Sequence, residues 1–148
     1  MLTIHAADQV RYTWDAEPIE DGAVAVEGNR VAAVGPLAEL TERFPGARVR
    51  RWPGVLGPAH VHGGPLPEAP SPRERVHEVL KRGAVAVLAE HAGTPELRAA
   101  AQRNDVAVLP GPRPVAIVDL GRADLAVFDS AGACIATVCA GRLVHRRR

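Results

Sequence analysis

The sequence predicts an α+β chain in which short strands at both ends flank a small α/β segment. The first fifty residues, and the residues after Val115, alternate short apolar runs with Gly- and Pro-containing turns, a rhythm typical of a β-sandwich. Between them, residues 55–109 alternate apolar runs of strand length with two helix-like segments, which predicts a parallel βαβαβ unit. Aromatic residues make up only 3% of the 148 residues. The core therefore consists of Val, Ala, Leu and Ile, a composition that favours sheet packing.

The N-terminal elements follow from turn chemistry. Ala23–Glu27 and Arg30–Val34 flank Gly28-Asn29, a pair that tolerates the positive φ values of a tight hairpin turn. Leu37–Arg43 is long enough for one or two helical turns, and Ala47–Trp52 is a further extended segment.

The central segment has clear helix signals. Val55–His62 is a short apolar run, followed by a proline-rich loop over residues 65–72. Ser71 and Glu74 predict a capping box with Pro72 at the first helical position, and Gly83 is the expected stop. The rest of the central segment is predicted to form a buried strand over Ala84–Ala89, a second helix over Thr94–Asn104 and another strand over Val106–Leu109.

The C-terminal part returns to short strands. They are predicted over Val115–Leu120, Leu125–Asp129, Cys134–Ala140 and Arg142–His145, with hairpin turns at Gly132 and Gly141.

Charge and composition exclude several classes of function. The 18 basic and 17 acidic residues nearly cancel, whereas a protein that binds nucleic acid by bulk electrostatics shows a basic excess. No apolar run reaches the roughly 18 residues of a membrane span, so we expect no membrane partner. Cys134 and Cys139 are too few for a disulfide scaffold, and we expect free thiols in a cytoplasmic protein.

Both ends of the chain resemble the ends of amidohydrolase-superfamily enzymes of the imidazolonepropionase and cytosine-deaminase-like kind. The N-terminal resemblance covers residues 7–10, 19–26, 30–35 and 53–62, the last reading Pro-Gly-Val-Leu-Gly-Pro-Ala-His-Val-His. The C-terminal resemblance covers residues 121–129 and 138–144, beginning Gly-Arg-Ala-Asp. In that family, strands from both termini form a composite β-sandwich beside a metal-bearing (β/α)₈ barrel.

The resemblance implies a composite β-sandwich of residues 1–54 and 115–148, with residues 55–114 inserted as a truncated barrel remnant. A complete (β/α)₈ barrel needs about 250 residues. Only about sixty residues lie between His62 and Asp124, enough for about three parallel strands and two helices. The expected fold therefore has no complete barrel, and the later ligands and catalytic aspartate of the family have no counterpart. The resemblance assigns Asp124 to a structural turn.

Candidate site residues lie at the predicted strand ends. His60 and His62 occupy the family's His-x-His metal position, and alternate residues of a strand point to one face. His91 closes the next predicted strand, so it would lie at the same sheet edge, and Glu90 beside it could act as a base or further ligand. Three histidines and a water would suit catalytic zinc. The alternatives are a packing and hydrogen-bonding relic, or a metal site that a partner chain completes.

The remaining candidates have ordinary structural interpretations. We expect surface or strand-end roles for His5, His77 and His145, and a surface role for Lys81. Gly63-Gly64 lacks the helix start that a phosphate-binding loop requires.

Three hypotheses of function remain. The first is a degenerate, non-catalytic amidohydrolase relative that acts as a binding or scaffold subunit. The second is a minimal zinc-dependent hydrolase that cleaves a C–N bond of a cyclic amide or amidine through water activated at His60, His62 and His91. The third is a sensor or carrier of such a small molecule. A three-stranded sheet with helices on one side leaves its other face bare, and that face must pack against the sandwich or against another chain. We expect a homo-oligomer or a partner protein to cover it.

Overall fold

The computed structural model describes residues 2–147, and these form a mixed α+β fold that confirms the predicted class. The strands are β1 Leu2–Val10, β2 Ile19–Glu20, β3 Gly22–Glu27, β4 Arg30–Pro36, β5 Arg48–Pro58, β6 His60–His62, β7 Ala84–Leu88, β8 Ala107–Leu109, β9 Leu125–Phe128, β10 Cys134–Cys139 and β11 Arg142–Arg146. The helices are α1 Leu37–Arg43, α2 Pro72–Lys81 and α3 Pro95–Arg103, and Ala89–His91 forms a 3₁₀ turn. None of these helices is long and apolar enough to span a membrane.

The larger sheet joins the two ends of the chain. Its order is β11-β10-β9-β5-β1-β3-β4, and β2 pairs with β1. The long strand β5 is the link, since it pairs in parallel with β1 and antiparallel with β9. Leu56, for example, lies opposite Val10 on one side and Val127 on the other. The composite sheet expected from the resemblance is therefore present.

The main core of the larger sheet lies between its two halves. Val10, Val24 and Leu56 from the N-terminal half pack in one cluster with Leu125 and Val138 from the C-terminal half. All five side chains are at least 97% buried. Burial of apolar surface stabilises a fold by about 25 cal/mol per Å², so contact between the halves contributes strongly to stability.

The smaller sheet contains the parallel strands β6, β7 and β8 in that order. Ser71 caps α2 as predicted by accepting a hydrogen bond from the Glu74 backbone N–H, whereas the Glu74 carboxylate accepts from the Ser71 hydroxyl and not from its backbone N–H. Helices α2 and α3 pack on one face of β7 and also contact the larger sheet. A buried hydrogen bond from Thr137 Oγ1 to the Leu80 carbonyl, 2.7 Å long, ties β10 to α2.

The other face of the smaller sheet carries apolar side chains that are buried within this chain. Ala86, Leu88 and Leu109 on this face are 92–98% buried. Val115 and Val118, which follow β8 in the chain, line the same cavity as Ala86. The predicted oligomer or protein partner is therefore not required to cover an exposed sheet face, and it stays a prediction.

Three element boundaries differ from the sequence predictions. Residues 115–120 form a loop rather than a strand, because prolines at 110, 112 and 114 interrupt the preceding backbone. Strand β7 ends at Leu88, and the 3₁₀ turn carries Glu90 and His91 beyond the sheet. Strand β5 continues to Pro58, so residues 55–58, placed in the inserted segment by the predicted division, pair within the larger sheet. Only the His60–His62 part of the predicted first strand belongs to the parallel unit.

Candidate functional site

His60 opens β6 and lies where the two sheets meet. Its backbone N–H donates to the Gly83 carbonyl at 2.8 Å, while the preceding Ala59 N–H donates to the Asp124 carbonyl at 3.1 Å. These bonds fix the start of β6 between the smaller sheet and the turn before β9. The position of the imidazole is therefore set by both parts of the fold.

The His60 imidazole packs in an aromatic cluster formed with Trp14 and Phe128. Its centroid lies 5.3 Å from the Trp14 ring, stacked at 19°, and 5.3 Å from the Phe128 ring. Trp14 and Phe128 meet edge to face at 5.4 Å. Trp14 is held by its Nε1–H, which donates to the Pro58 carbonyl at 2.8 Å, and by close approach to Gly57, where a Cβ would lie 2.7 Å from the indole. Burial lowers the pKa of His60 and so favours the neutral imidazole.

His62 and His91 have different neighbours. His62 Nε2 lies 2.9 Å from the Pro65 carbonyl oxygen. A carbonyl only accepts, so Nε2 carries the proton and Nδ1 is the nitrogen with a free lone pair. His91 Nε2 lies 3.8 Å from Glu90 Oε1 on the 3₁₀ turn, and the Glu90 side chain is 72% exposed. Neither residue belongs to the His60 aromatic cluster.

The register of β6 explains in part why His60 and His62 have different neighbours. The pairing with β7 shifts between His60 and Val61, so that Val61 lies opposite Ala86 and His62 opposite Val87. Val61 packs with Ala86 on the face away from the helices, whereas Val87 packs in the helix-facing cluster. Because a one-residue shift in register exchanges the two faces of a strand, simple alternation does not describe the positions of the two histidines.

The histidines therefore do not provide a ready set of metal ligands. Within residues 2–147, no group of three or more His, Cys, Asp or Glu side chains is placed to hold a metal ion. His60 is stacked among aromatic rings, His62 donates through Nε2, and the nearest polar partner of His91 is Glu90. Binding of zinc by His60, His62 and His91 therefore stays a prediction.

A cavity of about 280 Å³ lies beside His60. Its polar lining includes His60, Arg113, Arg122 and Asp124. Its apolar lining comes from β6, β7 and the loop at 114–118. His60 also borders a more open groove with Trp14 and Phe128, so its imidazole separates two depressions.

Arg122 and Asp124 fix the wall of this cavity. Arg122 Nε donates to Asp124 Oδ1 at 2.9 Å, and the same oxygen accepts from the Ala140 N–H at 2.9 Å. Burial alone would lower the pKa of Arg122, but Asp124 and Cys139 together more than offset this and raise the pKa above its ordinary value. Arg122 also donates to the Asp105 carbonyl and to Cys139 Sγ. Asp124 thus has the structural role in a turn that the sequence predicts.

The aromatic cluster and Arg122 were not singled out from the sequence. Trp14 and Phe128 are two of only five Phe, Trp and Tyr residues in the chain. Their rarity is a signal in the sequence that these positions matter for packing, because a large aromatic side chain buries more surface than most others. Nothing in the local sequence shows that residues 14, 60 and 128 meet.

Comparison with known proteins gives a family match over a short part of the chain. Residues 22–47 match the model of an imidazolonepropionase-like composite domain of bacteria. These residues cover β3, β4 and α1, within the N-terminal half of the larger sheet. No curated protein sequence matches the chain.

Solved structures are similar to this chain at low sequence identity, and one of them, ochratoxinase, has a TM-score that indicates a shared fold. Ochratoxinase from A. niger is 18% identical with a TM-score of 0.52, over 73% of this chain and 30% of that one. Guanine deaminase from Bradyrhizobium japonicum is 13% identical with a TM-score of 0.48, over 70% and 32%. Aminofutalosine deaminase from Helicobacter pylori is 19% identical with a TM-score of 0.46, over 59% and 27%. The matched regions thus span about a third or less of these three proteins.

Proposed function

The composite-domain match and the shared fold support assignment of this chain to the amidohydrolase superfamily, and from that premise we propose that it is a non-catalytic binding or scaffold protein. The observation that carries the proposal is the packing of the His60 imidazole between Trp14 and Phe128. In this role the histidine stabilises the junction of the two sheets instead of holding a metal.

The cavity beside His60 is the proposed ligand site. Its lining combines apolar side chains with an imidazole that can donate one hydrogen bond and accept another. A small cyclic amide or amidine has the matching donor and acceptor groups on a compact apolar ring. The Arg122–Asp124 pair would keep the wall rigid, because both side chains are already held by hydrogen bonds.

The position of Glu90 favours ligand binding over hydrolysis. A general base must reach the attacking water and later the leaving nitrogen. Glu90, the proposed base, lies on the 3₁₀ turn, is 72% exposed and is absent from the lining of the cavity beside His60. The minimal zinc-dependent hydrolase stays the alternative hypothesis, with His60, His62 and His91 as ligands.

Metal content and stability together test the proposal. Protein purified without added zinc should contain no stoichiometric metal, and added zinc should leave the unfolding midpoint unchanged. His60→Phe should keep most of the stability, whereas His60→Ala should lose about 1–2 kcal/mol because both ring contacts disappear. His62→Ala is the matched control, since His62 makes no aromatic contact in the cluster. Stoichiometric zinc that is lost in folded His60→Ala and His62→Ala would overturn the proposal in favour of the hydrolase.

A further inference from the structure

Three arginines meet at one end of the larger sheet. Arg48 and Arg50 alternate with Trp52 along β5, so the three share one face of the strand. Arg146 of β11 reaches the same place, with its guanidinium carbon 5.7 Å from the centre of the Trp52 ring. Arg48 and Arg146 are exposed and Arg50 is half-buried. We refer to Arg48, Arg50 and Arg146 as the arginine cluster.

The arginine cluster lacks a carboxylate partner within residues 2–147. The ion pairs of the described chain involve Lys81, His91, Arg122, Arg142 and Arg147, and none includes a member of the cluster. The neighbouring strand β1 contributes Thr3 and His5 opposite Arg48 and Arg50, and neither supplies a negative charge. Burial, and then the positive charges of Arg48 and Arg146, lower the pKa of Arg50. The cluster is thus a site of like-charge repulsion that an anion would relieve.

Trp52, which lies beside the arginine cluster, contacts both Arg146 and His5. Arg146 lies over the Trp52 ring, and His5 lies parallel to it at 15° with centroids 6.4 Å apart. Trp52 Nε1–H donates to His5 Nδ1 at 3.3 Å. Arg146 therefore lies over one face of the indole, and the hydrogen bond from Nε1–H holds His5 at the edge of the ring.

We propose that the arginine cluster is a docking site for an acidic, Asp- or Glu-rich segment of a partner protein. Guanidinium groups bind carboxylates through two parallel hydrogen bonds, and three neighbouring guanidinium groups without a carboxylate partner suit a segment that carries several carboxylates. The chain has a net charge of only +1, which argues against a general polyanion surface. None of the three arginines lines the cavity beside His60, so this site and the proposed ligand site can be tested separately.

The test measures binding of fluorescently labelled poly-L-glutamate to the full chain by polarisation at low and moderate salt. The cluster variant replaces its three arginines with glutamine: Arg48→Gln, Arg50→Gln and Arg146→Gln. The control variant removes the same charge from three exposed arginines of the helical segment: Arg73→Gln, Arg82→Gln and Arg103→Gln. Circular dichroism establishes that both variants are folded.

The proposal expects the wild type and the control variant to bind the peptide alike, and the cluster variant to bind about tenfold more weakly. At the same concentration, the peptide should also raise the melting temperature of the wild type by more than that of the cluster variant. Equal loss of binding in both variants would show that only net charge matters and would overturn the proposal. Tighter binding of a single-stranded oligonucleotide of equal charge through the same arginines would overturn it in favour of nucleic acid.

Discussion

Acid should destabilise the protein through His5. This side chain is 97% buried, and burial, aided by the charge of Arg50, lowers its pKa from 6.5 to about 4. His5 of the unfolded chain is therefore protonated as the pH falls through about 6.5, whereas His5 of the folded chain stays neutral until about pH 4. The stability contributed by neutral His5 is fully present above pH 6.5 and is lost as the pH falls towards 4.

The expected loss follows from this difference in pKa. Between pH 7 and pH 5, the free energy of unfolding should fall by about 2 kcal/mol through His5 alone. His60 adds to the fall, because burial lowers its pKa as well. Urea unfolding at a series of pH values, followed by circular dichroism, measures the total.

A non-titrating variant isolates the part due to His5. His5→Asn keeps an acceptor near the position of Nδ1 for the Trp52 Nε1–H and removes the proton uptake. Its stability should fall by about 2 kcal/mol less than that of the wild type over the same pH range. His77→Asn, at an exposed position on α2, should keep the wild-type pH dependence. If His5→Asn and the wild type lose the same stability, the reasoning about His5 is refuted.

Three further predictions concern a glycine turn, a buried hydrogen bond and a buried thiol. Gly141→Ala should lose roughly 2–4 kcal/mol in urea unfolding, because Gly141 has φ +82° and a Cβ would collide with the Gly28 carbonyl; an unchanged midpoint would contradict this. Thr137→Val should lose about 1 kcal/mol by removing the buried hydrogen bond to the Leu80 carbonyl, and Thr137→Ser should recover most of the loss. Cys139 is fully buried and burial raises its pKa to about 11, so a thiol reagent should modify it only after urea is added; rapid labelling of the folded protein would refute this.

Local signals in the sequence predicted much of the secondary structure. Ser71 caps α2 and Thr94 caps α3 because short hydroxyl side chains satisfy the free N–H groups of a first helical turn. Gly28 forms the β3–β4 turn at φ +60°. These features depend on a few neighbouring residues, which is why the sequence is sufficient to predict them. The composite sheet was predicted from the resemblance of both chain ends to one family.

The candidate site depends on contacts that are distant in sequence, and here the predictions were less complete. The predicted alternation of His60 and His62 assumes a regular strand, whereas β6 shifts register directly after His60. His91 was expected at a strand end, but the chain leaves the sheet after Leu88. The stacking of Trp14 on His60 depends on a separation of 46 residues that hydrophobic periodicity does not encode. The three-histidine zinc site itself stays a prediction that metal analysis can test.

The placement of β5 has a consequence for how the protein forms during translation. The backbone groups along one edge of β5 can form their hydrogen bonds as soon as β1 and β5 have left the ribosome, since these two strands pair in parallel. Its other edge stays open until β9 emerges, and β9 begins only at Leu125. At about 5–20 residues per second, the ribosome needs several seconds to make the intervening segment. Throughout that interval the nascent polypeptide exposes an unpaired row of amide and carbonyl groups, which makes it vulnerable to intermolecular strand addition.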